Sequence, residues 1–125
     1  MTKKILIVDD SIIARMAVKK AIPKDKPYEL HEASDGLEGL EKFKTIVPDV
    51  TFLDLTMPVM TGFQALEEIK KIDKNALVII LTADIQAKTM EKVNNLGVFM
   101  MIKKPSSKEE IQDALEKAIK YKESR

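Results

Sequence analysis

Five short apolar segments alternate with longer amphipathic segments along the chain. Each apolar segment has only five or six residues, mostly Val, Ile and Leu, which is too short for a typical buried helix. Such runs are typical of strands buried on both faces of a parallel sheet, and the polar alternation of the second favours a sheet edge. The predicted strands are KILIV (4–8), YELHEA (28–33), VTFLD (50–54), ALVIIL (76–81) and VFMMI (98–102).

Between these strands, apolar side chains recur at helical spacing, and capping residues mark where helices begin. The helix over 11–22 carries apolar groups at Ile12, Ile13, Met16 and Ala17. The second predicted helix begins with a capping box of Asp35 and Glu38 and carries Leu37, Leu40 and Phe43 on one stripe, and the third carries Phe63, Leu66 and Ile69. The fourth runs from about Ile85 to Leu96 and ends at Gly97. The fifth begins with a capping box of Ser107 and Glu110.

This alternation predicts an α/β fold in which a parallel sheet is covered by helices on both faces. Right-handed crossovers and the length of the chain favour the doubly wound strand order 2-1-3-4-5. We expect residues 1–125 to form a single domain, with no residues left for an output domain. In such sheets ligands bind at the carboxyl ends of the strands, beside the point where the order reverses, here between strands 1 and 3.

Charged and hydroxyl side chains follow the strands around this switch point. Strand 1 ends in Asp9 and Asp10, strand 3 in Asp54, strand 4 in Thr82 and strand 5 in Lys104. Taken alone, Asp10 is best explained as a helix cap, Thr82 as a strand-end residue and Lys104 as a solvated lysine. Together they indicate a functional site, because independent caps would not be confined to the switch-point strands.

The three carboxylates need a cation, because two carboxylates about 4 Å apart repel by about 4 kcal/mol at an effective dielectric constant of ~20. Oxygen ligands without cysteine favour Mg²⁺ over zinc. An Asp carboxylate can attack phosphorus, and a metal, an ammonium and a hydroxyl suit the charge of a transferring phosphoryl group. The pattern predicts Asp54 as phosphoryl acceptor, Asp9, Asp10, Asp54 and the Thr56 backbone carbonyl as Mg²⁺ ligands, and Lys104 and Thr82 as ligands of the phosphoryl oxygens.

The composition excludes several other classes of protein. The formal net charge is only +1 and 33% of residues are charged, so there is no overall attraction to nucleic acid or to an anionic membrane. The chain has no cysteine, which excludes disulfides, thiolate metal sites and a cysteine nucleophile. Its longest apolar run, residues 76–81, is far too short to span a bilayer. We therefore expect a soluble cytoplasmic protein with no membrane insertion and no nucleic-acid partner.

Four motifs at these positions resemble the receiver domain of two-component response regulators: ILIVDDS (5–11), FLDLTMPVMTG (52–62), ILTA (80–83) and KKP (103–105). The resemblance covers essentially the whole chain and implies a flavodoxin-like fold. It implies that Asp54 takes a phosphoryl group from a phosphohistidine on a histidine kinase or phosphotransfer protein, or from a small acyl phosphate. It also implies a signalling protein, not an enzyme, that catalyses its own phosphorylation and dephosphorylation.

The resemblance also assigns roles to the matching residues. It implies that Asp10 and Asp54 bind Mg²⁺ directly, that Asp9 acts mainly through water, that Thr82 is the switch hydroxyl and that Lys104 contacts the phosphoryl group. The bond before Pro105 matches one that is usually cis in the family. Stand-alone receivers of this kind resemble chemotaxis regulators and relay intermediates, so we expect the output to pass to a downstream protein.

Three positions depart from the family pattern. Met101 stands where an aromatic usually turns inward with the strand-4 hydroxyl, Ser106 stands where an aromatic is common, and Lys103 adds a cation beside Lys104. Phe99 is expected to share the face of Met101, because side chains alternate along a strand. The predicted output surface is helix 4, strand 5 and helix 5, with the candidates Met90, Asn94, Phe99, Met101 and Lys103.

Three alternatives stay open at this point. A haloacid-dehalogenase-like phosphatase also uses a strand-end Asp with Mg²⁺, but it carries a cap domain and a second Asp two residues later, where this chain has Thr56. A flavin or dinucleotide carrier needs a Gly- or Ser/Thr-rich loop after strand 1, where this chain has DDSIIA (9–14). A receiver-like binding scaffold that works without phosphate is kept open by Met101.

Overall fold

A computed structural model describes residues 3–57, 59–83 and 86–124. It contains a five-stranded parallel sheet in the order β2-β1-β3-β4-β5, which confirms the predicted doubly wound fold. The strands are β1 (Lys3–Val8), β2 (Tyr28–Ala33), β3 (Val50–Leu53), β4 (Val78–Thr82) and β5 (Met100–Lys103). The helices are α1 (Ile12–Ala21), α2 (Gly36–Ile46), α3 (Gly62–Ile72), α4 (Ala87–Leu96) and α5 (Lys108–Glu123).

The sheet separates two hydrophobic cores, because alternate side chains of each buried strand point to opposite faces. In β1, Ile5 and Ile7 face the core covered by α1 and α5, whereas Leu6 and Val8 face the core covered by α2, α3 and α4. All four of these side chains are almost completely buried. Helices on both sides therefore leave the strand ends as the open edge where polar side chains can gather.

Side-chain caps begin four of the helices. Ser11 accepts the Ala14 N–H at the start of α1, and Thr61 and Ser107 open α3 and α5 with complete capping boxes. Asp35 caps α2 by accepting the Glu38 N–H at 2.8 Å. The predicted capping box of α2 is only half formed, because the Glu38 carboxylate accepts the Ser34 N–H at 2.6 Å instead.

Not all of the apolar residues that predicted α1 and α2 face the core. In α1, Ile12, Ile13 and Met16 are 66%, 79% and 43% exposed, and the residues that pack against the sheet are instead Val18 and Ala21, with Ile22 just beyond. In α2, Leu37 is also exposed, although Leu40 and Phe43 are buried as predicted. Helical spacing shows which side chains share a face, but position on the sheet decides which face is covered.

The prediction that Phe99 shares the face of Met101 is wrong. Because β5 begins only at Met100, Phe99 precedes the pleated strand and packs with Met100 against the α1/α5 core. Its ring lies 5.6 Å from that of Tyr121 in α5. Met101 packs against the opposite core, which includes Val93 of α4. The predicted start of α4 at Ile85 lies outside the described residues, and its predicted end at Gly97 is confirmed.

Candidate functional site

The carboxylates predicted to meet at the switch point do so. Asp9 and Asp10 follow β1 and Asp54 follows β3, and each offers a carboxylate oxygen within 4.8 Å of those of the other two. Asp9 and Asp54 are only 4% and 5% exposed, whereas Asp10 is exposed. Val8 and Leu53 pair across the two strands, so the register of the sheet itself places these acids side by side.

Lys104 brings the only ammonium that the described part of the chain pairs with these acids. Its Nζ lies 2.7 Å from Asp9 Oδ2 and 3.7 Å from Asp54 Oδ2. The Lys104 N–H donates to the Thr82 carbonyl at 2.8 Å, and the bond to Pro105 is cis as expected. Lys103 is exposed to solvent, so the preference for Lys104 over its neighbour agrees with the geometry.

Backbone groups fix the position of Asp54. Its N–H donates to the Val8 carbonyl at 3.0 Å, and its Oδ1 accepts the Leu55 N–H at 2.9 Å. Gly62, at the start of α3, approaches this turn so closely that a Cβ there would overlap the Asp54 carbonyl oxygen. A glycine is therefore required at position 62 for the chain to return past its own acidic residue.

The protonation of Asp54 reflects this burial. Loss of solvent around the carboxylate raises the pKa of Asp54, the Lys104 ammonium opposes the rise, and the nearby Asp9 carboxylate adds to it. Hydrogen bonds from the backbone of Leu55 and Thr56 lower the pKa of Asp54 again. The ionised form of Asp54 is thus less favourable here than in water, so the folded protein holds this carboxylate at a cost in stability.

Asp9 and Asp10 are not used as helix caps. Ser11 fills the N-cap position of α1, so the cap explanation for Asp10 does not apply. Asp9 accepts the Ser11 N–H through Oδ1 at 3.0 Å and contacts Lys104 through Oδ2. The two acids therefore keep oxygen atoms near Asp54 while a neighbouring hydroxyl satisfies the helix end.

These residues fit a hard divalent cation. Three carboxylates and one ammonium leave a formal charge of −2 in a site where two of the acids are buried. All the candidate side-chain ligands are carboxylate oxygens, which Mg²⁺ prefers. The Thr56 residue follows two positions after Asp54 in the adjoining loop, and its carbonyl as a further ligand stays a prediction.

The remaining predicted residues lie outside the acidic cluster, on β4, on α4 and in the segment around β5. Thr82 is the last residue of β4, is fully buried and pairs with Lys103 of β5. Met90 is 40% exposed on α4, and Met101 is half-buried and packs against the core that includes Val93 of α4. Phe99 faces the other core, so it does not share a surface with Met101.

One contact of the site was missed in the sequence. Arg15 stands out in the sequence only as one of two arginines, but its guanidinium donates to the Asp9 backbone carbonyl at 2.6 Å. Arg15 follows Asp10 by five residues, which places it one helical turn beyond the Ser11 cap. That spacing is the only sign of the contact in the sequence.

Comparisons with known proteins agree with this arrangement. The sequence profile of the response regulator receiver domain matches residues 5–116. The chain is 38% identical over 120 residues to the chemotaxis protein CheY of Thermotoga maritima, covering 96% of this chain and all of that protein. It is 34% identical over 122 residues to the sporulation initiation phosphotransferase F of Bacillus subtilis, covering 98% of each.

A solved structure of similar fold carries ligands. The CheX-CheY-BeF3-Mg²⁺ complex from Borrelia burgdorferi contains a chain that superposes with a TM-score of 0.86 at 28% identity, covering 94% of this chain and 89% of that one. Among residues 3–57, 59–83 and 86–124, no helix combines the length and apolar character needed to cross a bilayer. Because the profile match includes all four strand ends that form the site, the chain belongs to the response regulator receiver domain family.

Proposed function

We propose that this receiver domain accepts a phosphoryl group on Asp54 in a site that binds Mg²⁺ through Asp9, Asp10 and Asp54. The observation that carries the proposal is the position of Asp54, a buried carboxylate between two further acids and the Lys104 ammonium. The family match does not favour a phosphatase or a phosphate-independent scaffold. The residue two positions after Asp54 is Thr56, which cannot serve as the general acid that the phosphatase reaction uses.

The reaction transfers one phosphoryl group from a donor to the carboxylate of Asp54. A carboxylate oxygen of Asp54 forms a bond to phosphorus while the bond from phosphorus to the donor's imidazole nitrogen, or to an acyl oxygen, breaks. The electron pair of that bond stays on the donor. Lys104 would balance the new negative charge, and the Thr82 hydroxyl would donate a hydrogen bond to a phosphoryl oxygen. A bound Mg²⁺ would neutralise the acids and the phosphoryl oxygens.

The same residues are proposed to catalyse loss of the phosphoryl group. Hydrolysis of the acyl phosphate by water regenerates the Asp54 carboxylate and releases inorganic phosphate. No second active site is needed, because the groups that stabilise the transferring phosphoryl group in one direction also stabilise it in the other. The protein is therefore a signalling protein whose phosphorylation and dephosphorylation are both catalysed by its own residues.

We propose that two surfaces connect this chemistry to partners. Ile12, Ile13 and Met16 expose an apolar face on α1, directly after the acids of β1, where a histidine kinase or phosphotransfer protein would contact the domain. Such exposed large apolar side chains are typical of protein-binding sites. The downstream protein would contact α4 and β5, where Met90 lies on α4 and Met101 and Lys103 lie on β5. We expect both encounters to take place in the cytoplasm.

Chemical labelling tests the acceptor. The protein is incubated with acetyl phosphate and Mg²⁺, and intact mass and hydroxylamine lability of the adduct are measured for the wild type, Asp54→Asn and Asp35→Asn. Asp35 also follows a strand but caps α2, so its variant is the matched control. We expect labelling of the wild type and Asp35→Asn only. Labelling of Asp54→Asn, or release of phosphate from many phosphomonoesters without an adduct, would contradict the proposal.

A further inference from the structure

Arg15 links the acidic end of β1 to the neighbouring edge strand. One terminal nitrogen of its guanidinium donates to the Asp9 carbonyl at 2.6 Å, while its Nε donates to Glu32 Oε1 of β2 at 2.9 Å. The side chain is only 14% exposed. The contact is made to the peptide group that joins Asp9 to Asp10, so it acts on the backbone between two predicted metal ligands and not on their carboxylates.

Further contacts surround the Arg15–Glu32 pair. The other oxygen of Glu32 accepts the Lys19 ammonium at 2.9 Å. Lys42 of α2 donates to the Glu32 backbone carbonyl, and the Asp9 N–H donates to the Ala33 carbonyl at 3.1 Å. Hydrogen bonds from the same planar group in two directions leave the guanidinium little freedom to rotate. Hence Arg15 spans β1 and β2 with a fixed geometry.

We propose that Arg15 is a positioning residue of the metal site: it orients the Asp9–Asp10 peptide and thereby the two carboxylates that meet Asp54. The inference rests on the proposed function, because it assumes that Asp9 and Asp10 bind a divalent ion. Outer groups that hold a ligand's backbone or side chain affect metal affinity without touching the metal. Arg15 touches neither Asp54 nor the carboxylate oxygens of Asp9 in its described hydrogen bonds.

Charge and positioning make opposite predictions for Arg15. A guanidinium near a cation site repels the cation, so loss of that charge alone would tighten Mg²⁺ binding. Loss of the hydrogen bond to the Asp9 carbonyl frees the peptide to rotate, so the carboxylates must be ordered when the ion binds, which weakens binding. The sign of the change in Mg²⁺ affinity therefore distinguishes the two effects.

The test compares Mg²⁺ binding by the wild type, Arg15→Met, Arg15→Lys and Lys19→Met. Binding is followed by calorimetry with MgCl₂ and by the Mg²⁺-induced increase in melting temperature. We expect Arg15→Met to raise the Mg²⁺ dissociation constant roughly tenfold. Arg15→Lys keeps the positive charge, but its single side-chain nitrogen cannot donate in two directions as the guanidinium does. This variant should therefore also bind Mg²⁺ more weakly than the wild type. Lys19→Met removes a charge from the same network without a contact to Asp9, and its dissociation constant should stay at the wild-type value or fall.

A second readout separates positioning from a purely structural role. In assays with acetyl phosphate, Arg15→Met should need more Mg²⁺ for half-maximal labelling but reach a near wild-type rate at saturating Mg²⁺. An unchanged or lower dissociation constant in Arg15→Met would overturn the inference. So would a lower melting temperature without Mg²⁺ that is accompanied by an unchanged Mg²⁺-induced shift. Absence of Mg²⁺ binding in the wild type would instead contradict the proposed function.

Discussion

Replacing Asp54 by asparagine should stabilise the metal-free protein, although it removes the proposed acceptor. The ionised carboxylate is 5% exposed and lies within 4.8 Å of the nearest oxygens of two other acids. At an effective dielectric constant of ~20, repulsion at 4.8 Å amounts to about 3.5 kcal/mol per pair. Attraction to Lys104 at 3.7 Å amounts to about 4.5 kcal/mol on the same scale.

The attraction from Lys104 therefore roughly cancels the repulsion from Asp9 alone. What remains is the cost of burying the charge, reduced by the backbone donors, together with a screened repulsion from the exposed Asp10. A neutral amide of the same shape avoids both. We expect Asp54→Asn to increase the free energy of unfolding by about 1–3 kcal/mol without Mg²⁺ at neutral pH, which raises the melting temperature by about 4–11 °C.

The pH dependence of this gain follows from the raised pKa of Asp54. Above its folded-state pKa, Asp54 is ionised in both states and its burial cost is fully present. As the pH falls through that raised pKa toward the unfolded value of about 3.9, the carboxyl becomes protonated and the cost disappears. The difference in stability between Asp54→Asn and the wild type should therefore shrink on acidification.

Thermal unfolding followed by circular dichroism, with EDTA and then with a series of MgCl₂ concentrations, measures the effect. Mg²⁺ at a hundred times its dissociation constant should stabilise the wild type by about 2.7 kcal/mol, because it binds only the folded state. Asp54→Asn should gain much less, so the order of stability should reverse as Mg²⁺ is added. A variant that is less stable than the wild type in EDTA would contradict a net cost of burying the Asp54 charge.

Four further substitutions test other residues of the fold and the site. Gly62→Ala should lower the free energy of unfolding by about 3 kcal/mol or more, because its Cβ would overlap the Asp54 carbonyl. Gly97→Ala is the comparison: position 97 has a φ of 83° but open space around it, so the substitution should cost only about 1 kcal/mol. Urea unfolding measures both variants. Ile13→Ser should change stability by less than about 0.5 kcal/mol but slow phosphotransfer from the cognate histidine kinase, measured with radiolabelled donor. Thr82→Ala should still be labelled by acetyl phosphate but lose the phosphorylation-dependent change in hydrogen exchange over α4 and β5.

A contrary result for each substitution would identify which structural assumption is wrong. Equal stability of Gly62→Ala and Gly97→Ala would mean that the turn after Asp54 can open without cost. A large loss of stability in Ile13→Ser would show that the exposed face of α1 is packed against something in solution. An unchanged exchange response in Thr82→Ala would remove Thr82 from the switch.

The fold and the acidic cluster were predictable because each depends on a short-range pattern and one rule of topology. Apolar runs of strand length alternate with capped helical segments, and the carboxyl ends of parallel strands share one edge of a sheet. Once the order 2-1-3-4-5 is assumed, Asp9 and Asp54 must become neighbours. Lys104 follows from the same rule, since its strand lies two places from β3 and its long side chain reaches back.

The covered face of α1 could not be predicted in the same way. The helix carries apolar residues on two stripes, and spacing alone does not show which one meets the sheet. The choice of Val18 and Ala21 over Ile13 and Met16 depends on how α1 packs beside α5. The face that Phe99 occupies depends similarly on where β5 begins. Side chains alternate only within the strand, and Phe99 lies one residue before it.

The contact of Arg15 with the Asp9 carbonyl is the feature of the site that is hardest to predict from the sequence. A long flexible side chain can reach many backbone groups, and only the position of β2, with Glu32 as the second acceptor, selects this one. Predicting it requires the side-chain conformation as well as the fold.

Reduction of the labelled protein with borohydride tests the central claim most directly. This reagent converts an aspartyl phosphate to homoserine, and peptide mass spectrometry then identifies the modified position. After incubation with acetyl phosphate and Mg²⁺, we expect homoserine at position 54 and an unmodified residue at positions 9 and 10. Homoserine at position 9 or 10, or none in protein that carries the phosphoryl mass, would contradict it.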